Sequence, residues 1–200
     1  MDLKLRKIPI SIISGILVIV IYCAFTFISF VFFPTPYNPI KNWLSDLGNS
    51  SFNPNGAIFY NLGCILTGAF LFPFFIGLYK WYMVDKSWHK ILIIASQIIG
   101  CCSALALIMI GVFSEDFNEL HIFWSGFYFY LNLSVLILGV FSLFWNPKFF
   151  KLIGIYGIVV SIINLLFAIV IIIPILEWFT VFSALSYVGL LVFNMYKNSV

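Results

Sequence analysis

The sequence is poor in charged residues. Asp, Glu, Lys and Arg make up only 8% of its 200 residues, whereas a soluble domain carries roughly 25%. Hydrophobic residues make up 63% of the chain, and the mean hydropathy is +1.12. A chain of this composition does not stay soluble, so we predict an integral membrane protein. Its few basic residues are scattered over short loops without a basic stripe, so we expect no nucleic-acid partner.

Patterns for disulfides and zinc are also missing. The four cysteines fall inside apolar runs, where cysteine behaves as a small hydrophobic residue, and no Cys-x-x-Cys occurs. A zinc site needs three or four His, Cys or carboxylate ligands, and the chain has only two histidines. We therefore expect no cofactor and no metal. An oxygen-rich calcium or magnesium site at Asp46, Glu115, Asp116 and Glu177 stays open as an alternative.

What the sequence has instead is long apolar runs. A bilayer core requires about 20 apolar residues per helix, and six runs reach that length. They are too long and too poor in alternation for barrel strands. We predict an all-α integral membrane protein whose residues 1–200 form a single six-transmembrane-helix bundle, with a short interfacial helix at Ile40–Leu47 in the longest loop. The predicted helices span residues 8–33, 56–83, 88–113, 120–145, 149–173 and 177–196.

Basic residues indicate the orientation in the membrane. The first, third and fifth loops hold only Lys41, and the other nine basic residues lie in the remaining loops and the two terminal segments. The positive-inside rule then predicts a multi-pass protein of the cell membrane with both termini cytoplasmic and the odd-numbered loops outside. The nine residues are Lys4, Arg6, Lys7, Lys80, Lys86, Lys90, Lys148, Lys151 and Lys197.

Polar residues form a stripe on the fourth predicted helix. After His121 they recur at Ser125, Tyr128 and Asn132, in steps of four, three and four, which places all four on one helix face. Such residues inside a membrane are a functional-site hypothesis by default. The alternative is that they are hydrogen-bonding contacts between packed helices.

The sixth and second helices carry matching residues. Glu177 and Tyr187 share one face of the sixth helix, with Glu177 at the predicted external end. Asn61 lies about one turn below the external start of the second helix. The alternatives are that Glu177 only favours a helix N-terminus, and that Asn61 is a helix contact.

The external loops add titratable groups near His121. The residue types of a serine hydrolase are present in Ser45, Asp46, Ser114 and His121, but no G-x-S-x-G motif occurs. We predict His121 as the general acid/base, with Asp46 or Asp116 as the carboxylate that orients it. The spacing of Asp116 and the glutamate that follows also fits a capping box at the start of the fourth helix, which is the alternative.

Two stretches resemble a known family. One is N-W-L-S-D-L-G at Asn42–Gly48, followed by F-Y-N-L-G at Phe59–Gly63; the other is G-V-F-S-E-D at Gly111–Asp116, with His121 just after. Together they resemble the prokaryotic membrane family DUF998 over nearly the whole chain. That resemblance implies six helices, an S-D-L-G motif in the first external loop, an F-N-x-G start to the second helix, where Tyr60 here precedes the Asn, and a Glu near the start of the last helix.

The same loop is similar, more distantly, to the eukaryotic family of autophagy-modulator and GPI-lipid-remodelling membrane proteins, which implies lipid handling. We therefore expect an externally open polar pocket that binds the headgroup of a lipid or lipid-like amphiphile, and remodels or hydrolyses it. The alternatives are a small-solute or proton-coupled transporter and a non-catalytic assembly partner, and the oligomeric state stays open. The expected ligand-binding residues are Ser45, Asn61, Ser114, Glu115, Ser125, Tyr128, Asn132, Glu177 and Tyr187.

Overall fold

The computed structural model describes residues 8–81 and 87–199, which form helices and contain no β-strand. Six helices are long and apolar enough to cross a membrane, which confirms the prediction of an all-helical chain with six such helices. This is the pattern of a multi-pass membrane protein. The described residues do not include Lys4, Arg6, Lys7 and Lys86, nor the predicted end of the second helix at Met83.

The helices begin and end close to the limits of the apolar runs. The last one begins at Pro174 rather than at the predicted Glu177, since proline is favoured in the first turn of a helix. The predicted interfacial helix over residues 40–47 is instead a 3₁₀ helix at Leu44–Gly48. A 3₁₀ helix at Gly77–Trp81 follows the second long helix, and a π-helical turn at Leu166–Val170 follows the fifth. The helices are α1 (Ile10–Val31), α2 (Ala57–Ile76), α3 (Ser87–Val112), α4 (Glu119–Phe144), α5 (Lys151–Leu165) and α6 (Pro174–Ser199).

The six helices form a closed ring. Each helix packs against the next in the chain, and α6 returns to pack against α1. The contacts among α1, α2, α3 and α4 are extensive, whereas those of α5 and α6 with their neighbours are sparser. The first, third and fifth loops lie together at one end of the ring, which we call the odd-loop end. Which side of the membrane this end faces stays a prediction.

Helix α1 shows why the outer surface of the ring suits lipid. Most of its buried residues are small or polar, the kind through which helices associate in membranes. Its exposed face is built from large apolar residues, which only lipid chains would solvate favourably. The buried residues include Ser11, Ser14, Gly15, Thr26 and Ser29, and the exposed residues include Ile13, Ile16, Val20, Phe27 and Phe30.

Glycines mark a difference between α2–α3 and α4. A Cβ atom on Gly68 would lie 2.7 Å from the carbonyl oxygen of Ala104, and one on Gly111 would lie 2.5 Å from that of Asn61. The two backbones therefore approach too closely for any other residue. On α4, a Cβ atom on Gly126 or Gly139 would meet nothing within 4 Å. The ring is thus tightly closed at α2–α3 and leaves space beside α4.

Candidate functional site

The first loop is fixed over the odd-loop end by buried amides. The Asn53 side chain is fully buried, and its Nδ2 donates to Ser29 Oγ at 2.9 Å and to the carbonyl of Leu47 at 3.1 Å. Asn61 Nδ2 donates to the carbonyl of Gly48 at 3.0 Å. The 3₁₀ helix Leu44–Gly48, which contains the S-D-L-G motif, therefore lies in a fixed position against α1 and α2. Asn61, near the start of α2, therefore helps to hold this loop in place.

Glu177 fastens the same loop from the other side. It lies in the first turn of α6 and is only 8% exposed. Its Oε2 accepts the backbone N–H of Leu44 at 2.7 Å. The first N–H groups of a helix have no partner inside the helix, so this carboxylate satisfies one of them. Glu177 thereby connects the last helix to the first loop.

Asp46 caps its own 3₁₀ helix. Its Oδ2 accepts the backbone N–H of Trp43 at 2.9 Å and the side-chain Nδ2 of Asn42 at 3.3 Å. Burial raises the pKa of Asp46, while these two hydrogen bonds oppose the rise. Asp46 was predicted as a carboxylate that orients His121. These two hydrogen bonds instead join it to residues of its own loop.

Asp116 joins the third loop to the first. Its Oδ1 accepts the backbone N–H of Ser50 at 2.9 Å and the Ser50 hydroxyl at 2.8 Å, and its Oδ2 accepts the hydroxyl of Ser114 at 2.9 Å. Slight burial acts to raise the pKa of Asp116, but the hydrogen bonds from Ser50 and Ser114 outweigh it and the pKa lies below its ordinary value. Ser114 and Asp116 thus form the contact between the two loops.

Glu115, the neighbour of Asp116, is in a different environment. Burial first, and then the negative charge of Asp46, raise the pKa of Glu115 to about 7. The two carboxyls lie within hydrogen-bonding reach of each other, an interaction that requires a proton on one of them. In the described part of the chain, no N–H or hydroxyl group donates to the buried Oε2 of Glu115.

His121 lies in the first turns of α4 and is 7% exposed. Its Nδ1 is 3.0 Å from the carbonyl oxygen of Phe113. Because a carbonyl only accepts hydrogen bonds, Nδ1 carries a hydrogen atom and the neutral ring has its lone pair on Nε2. This is the one hydrogen bond of His121 within the described residues, so Nε2 is free to act on a ligand.

A cavity of about 460 Å³ lies beside α4 at the odd-loop end. One part of its wall is polar and the other is apolar, formed by α4, the π-helical turn and the chain that follows it. Ile122 and Ile172 in the apolar part are 66% and 70% exposed on the outside of the ring, so the cavity opens sideways. The polar residues are Trp43, Ser45, Glu115, Asn118, His121, Ser125 and Glu177, and the apolar ones include Ile122, Phe129, Phe167 and Ile172.

Two smaller cavities continue into the ring. The first, of about 30 Å³, shares Ser45, His121, Ser125 and Glu177 with the large one and also reaches Tyr128. The second, of about 80 Å³, is mostly apolar and is lined by Tyr128, Asn132 and Tyr187, among others. The predicted stripe on α4 therefore follows all three cavities, with Glu177 and Tyr187 of α6 facing it.

Asn132 makes a helix contact as well. Its Nδ2 donates to Oδ1 of Asn164 on α5 at 3.2 Å. This is the interhelical hydrogen bond that was the alternative for the whole stripe. The deepest residue of the stripe thus joins α4 to α5, while His121 and Ser125 face the large cavity.

Apart from Tyr128, Asn132 and Tyr187, which line the inner apolar cavity, the structure separates the predicted site residues into two groups. Ser45, Glu115, His121, Ser125 and Glu177 come together at the large cavity. The other group secures the loops, with hydrogen bonds to backbone groups or neighbouring hydroxyls. That second group is Asp46, Asn61, Ser114 and Asp116.

Trp43 and Asn118 line the cavity although the sequence reasoning missed them. Asn118 precedes α4 and has φ 33°, in the left-handed region that Asn tolerates better than most residues. An Asn two residues before the start of the predicted helix at residue 120 was the available signal. For Trp43, the available signal was its position next to the S-D-L-G motif.

The carboxylates and His121 do not form a metal centre in the described part of the chain. Within residues 8–81 and 87–199, no three His, Cys, Asp or Glu side chains come together as ligands of one ion. The acidic groups at the odd-loop end instead accept hydrogen bonds or face the cavity.

These features define a multi-pass helical membrane protein with a polar, loop-covered cavity at one end. The chain belongs to the family described as "Protein of unknown function (DUF998)", whose model matches residues 16–194. The match includes the S-D-L-G loop, His121 and Glu177, and it confirms the resemblance seen in the sequence. No curated protein and no solved structure matches the chain. The more distant likeness to lipid-remodelling proteins stays a prediction.

Proposed function

We propose that the 460 Å³ cavity binds a lipid or lipid-like amphiphile. The headgroup lies among Ser45, His121 and Glu177 under the first loop, and the apolar chain lies along Phe129 and Ile172 toward the outside of the ring. The observation that supports this is the division of one cavity into a polar inner part and an apolar part that opens sideways. Its volume falls within the range of small-molecule sites, about 300–1,000 Å³.

The chemistry of the wall favours an amphiphile over other ligands. A purely polar solute would leave the exposed apolar surface of Ile122 and Ile172 without an apolar contact. A purely apolar ligand would leave His121 Nε2 without a hydrogen bond, which is unfavourable. A molecule with a polar head and an apolar chain satisfies both parts of the wall.

A hydrolytic reaction is the second candidate, because His121 is held as a general base requires. Its Nδ1–H is fixed on the Phe113 carbonyl, and the ring faces a cavity that also contains the Ser45 and Ser125 hydroxyls. Nε2 would take a proton from water as the water oxygen bonds to the acyl carbon of an ester or amide in the amphiphile. The bond from that carbon to the leaving oxygen or nitrogen then breaks, and the proton passes to the leaving group.

Two glycines of α4 allow a matched test of binding. Gly126 lines the large cavity, and Gly139 lines the inner apolar one; a Cβ atom meets nothing within 4 Å at either position. We expect Gly126→Leu to displace the amphiphile and Gly139→Leu to keep it. The measurement is lipid per mole of protein, by mass spectrometry, after purification from native membranes. Equal retention of the same lipid by Gly126→Leu would exclude this cavity as the site.

The reaction needs its own test. Purified protein is incubated with extracted membrane lipid, and we expect product from the wild type and none from His121→Ala, with the co-purified lipid measured for both. Product formation by His121→Ala would remove its role as the base. Saturable solute uptake in counterflow assays with proteoliposomes, without any lipid product, would favour the transporter. A stoichiometric protein partner with no bound lipid would favour the assembly role.

A further inference from the structure

The charged side chains of the large cavity are all acidic. Glu115 and Glu177 line it, and the Asp46 carboxyl lies close enough to act on both electrostatically. No Lys or Arg of the described residues is part of the wall. The only basic residue in the three loops at this end is Lys41, which is exposed and outside the cavity. These carboxyl groups have no Lys or Arg partner on the cavity wall in the described part of the chain.

His121 presents an acceptor to the cavity. It is nine-tenths buried, its Nδ1–H is already used on the Phe113 carbonyl, and its Nε2 has a lone pair. The carboxyls of Glu115 and Glu177 line the same cavity, beside the hydroxyls of Ser45 and Ser125, which can donate or accept. A ligand that pairs with His121 Nε2 must therefore donate a hydrogen bond.

The N-terminal ends of α4 and α6, which border the large cavity, carry partial positive charge and would favour an anion. Each has a glutamate in its first turn, Glu119 in α4 and Glu177 in α6, and the Glu177 carboxylate binds an N–H of the first loop. An anionic headgroup would meet Glu115 and Glu177 before it reached a free helix end.

Trp43 adds an aromatic surface to the same wall. An indole ring attracts a cation placed over its face, by about 0.5–2 kcal/mol depending on desolvation. A positively charged head that contacts Trp43 would therefore gain an interaction that a neutral or anionic head does not.

We propose that the amphiphile bound here carries a primary ammonium headgroup. An ammonium group supplies one positive charge and three N–H donors, which match the carboxylates of Glu115 and Glu177 and the acceptor nitrogen of His121. A quaternary ammonium has the charge without the donors, and a phosphate or sulfate has neither. This inference rests on the proposed amphiphile site and specifies its ligand.

The test compares amphiphiles that share a dodecyl chain and differ in the headgroup. Wild-type protein in phosphatidylcholine nanodiscs is titrated with dodecylammonium, dodecyltrimethylammonium, dodecanol and dodecyl sulfate by calorimetry. The buffer is kept above pH 7, so that Glu115, whose pKa is about 7, is ionised. We expect the tightest saturable binding for dodecylammonium. Loss of one charged hydrogen bond should weaken it about 10-fold in Glu115→Gln. The exposed Glu119 lies outside the cavity wall, so Glu119→Gln should match the wild type and correct for partition into lipid.

The outcomes separate this inference from the amphiphile proposal. If dodecanol or dodecyl sulfate binds as tightly as dodecylammonium, the ammonium inference is wrong and the amphiphile site stands. Equal binding of the trimethyl compound would show that donors are not required and would also overturn the inference. So would wild-type affinity in Glu115→Gln. If none of these amphiphiles binds saturably, both proposals fail.

Discussion

The two sides of the helix ring use glycine for opposite purposes. Between α2 and α3, Gly68 and Gly111 let the backbones touch, because a Cβ atom at either position would lie under 3 Å from a carbonyl oxygen. On α4, Gly126 and Gly139 face open space instead. The backbones of α2 and α3 therefore pack in direct contact, whereas open space lies beside α4. The variants below test the close packing and the groups around the open space separately.

The largest expected effect is on the closed side. Gly111→Ala places a Cβ atom 2.5 Å from the backbone oxygen of Asn61, and a backbone atom cannot move aside as a side chain would. Overpacking of this kind should cost about 3 kcal/mol of the free energy of unfolding. Gly139→Ala is the control on the open side and should cost nothing. Unfolding of both purified variants in detergent measures the difference, and equal midpoints would contradict it.

The next effect is at the contact between α6 and the first loop. Glu177→Ala leaves the buried N–H of Leu44 without its acceptor, which should cost about 2 kcal/mol. Glu177→Gln keeps an oxygen at the same position and should cost less than half of that. Glu119→Ala, at an exposed position in the first turn of α4, serves as the control. If the alanine and glutamine variants of Glu177 unfold at the same temperature, the carboxylate does not hold the loop.

A smaller effect depends on pH through Glu115. Its pKa is raised from 4.5 to about 7 in the folded protein, so its stabilising contribution is complete below pH 4.5 and is lost as the pH rises through about 7. We expect the wild type to lose stability relative to Glu115→Gln across that interval. Unfolding midpoints of both proteins at a series of pH values provide the measurement. If the midpoints of the two proteins change in parallel with pH, the pKa of Glu115 is not raised by burial and by the charge of Asp46.

The smallest effect comes from Asp116, which has the opposite sign. Its folded-state pKa lies below the ordinary 3.8, so its contribution is present above pH 3.8 and disappears as the pH falls through the folded value. Asp116→Asn should cost about 0.5 kcal/mol at neutral pH, because its contact with Ser50 is exposed to solvent. The difference from the wild type should vanish in acid. A constant difference across pH would show that charge is not involved.

Local periodicity was enough to predict part of the site. The face that contains His121 and Ser125 followed from the helical repeat, and both residues line the cavity. The role of Asp46 did not follow in the same way. Its residue type suits catalysis, but its hydrogen bonds go to Trp43 and Asn42, within its own loop. Whether a carboxylate faces a cavity or caps a turn depends on the fold of the loop, which a residue pattern does not encode.

Contacts between distant parts of the chain could not be predicted from the sequence. The apolar runs fixed the number of membrane-length helices, because length and hydropathy are local properties. The space beside α4 depends on which helices pack closely, and that is decided by single glycines on α2 and α3. Gly68 and Gly126 look alike in the sequence, yet one is closed by Ala104 and the other is open. Only the packed ring distinguishes them.

The hydrogen bond from Leu44 to Glu177 joins residues 133 positions apart in the chain. A chain made from its N-terminus produces the first loop early and α6 last. The backbone N–H of Leu44 therefore has no Glu177 acceptor until every other helix has been made. The first loop, which covers the cavity, gains its contact with α6 only when the ring closes. A partly synthesised chain therefore has the earlier helices without the complete cavity. The contact between the first loop and the completed bundle at α6 thus depends on a single carboxylate.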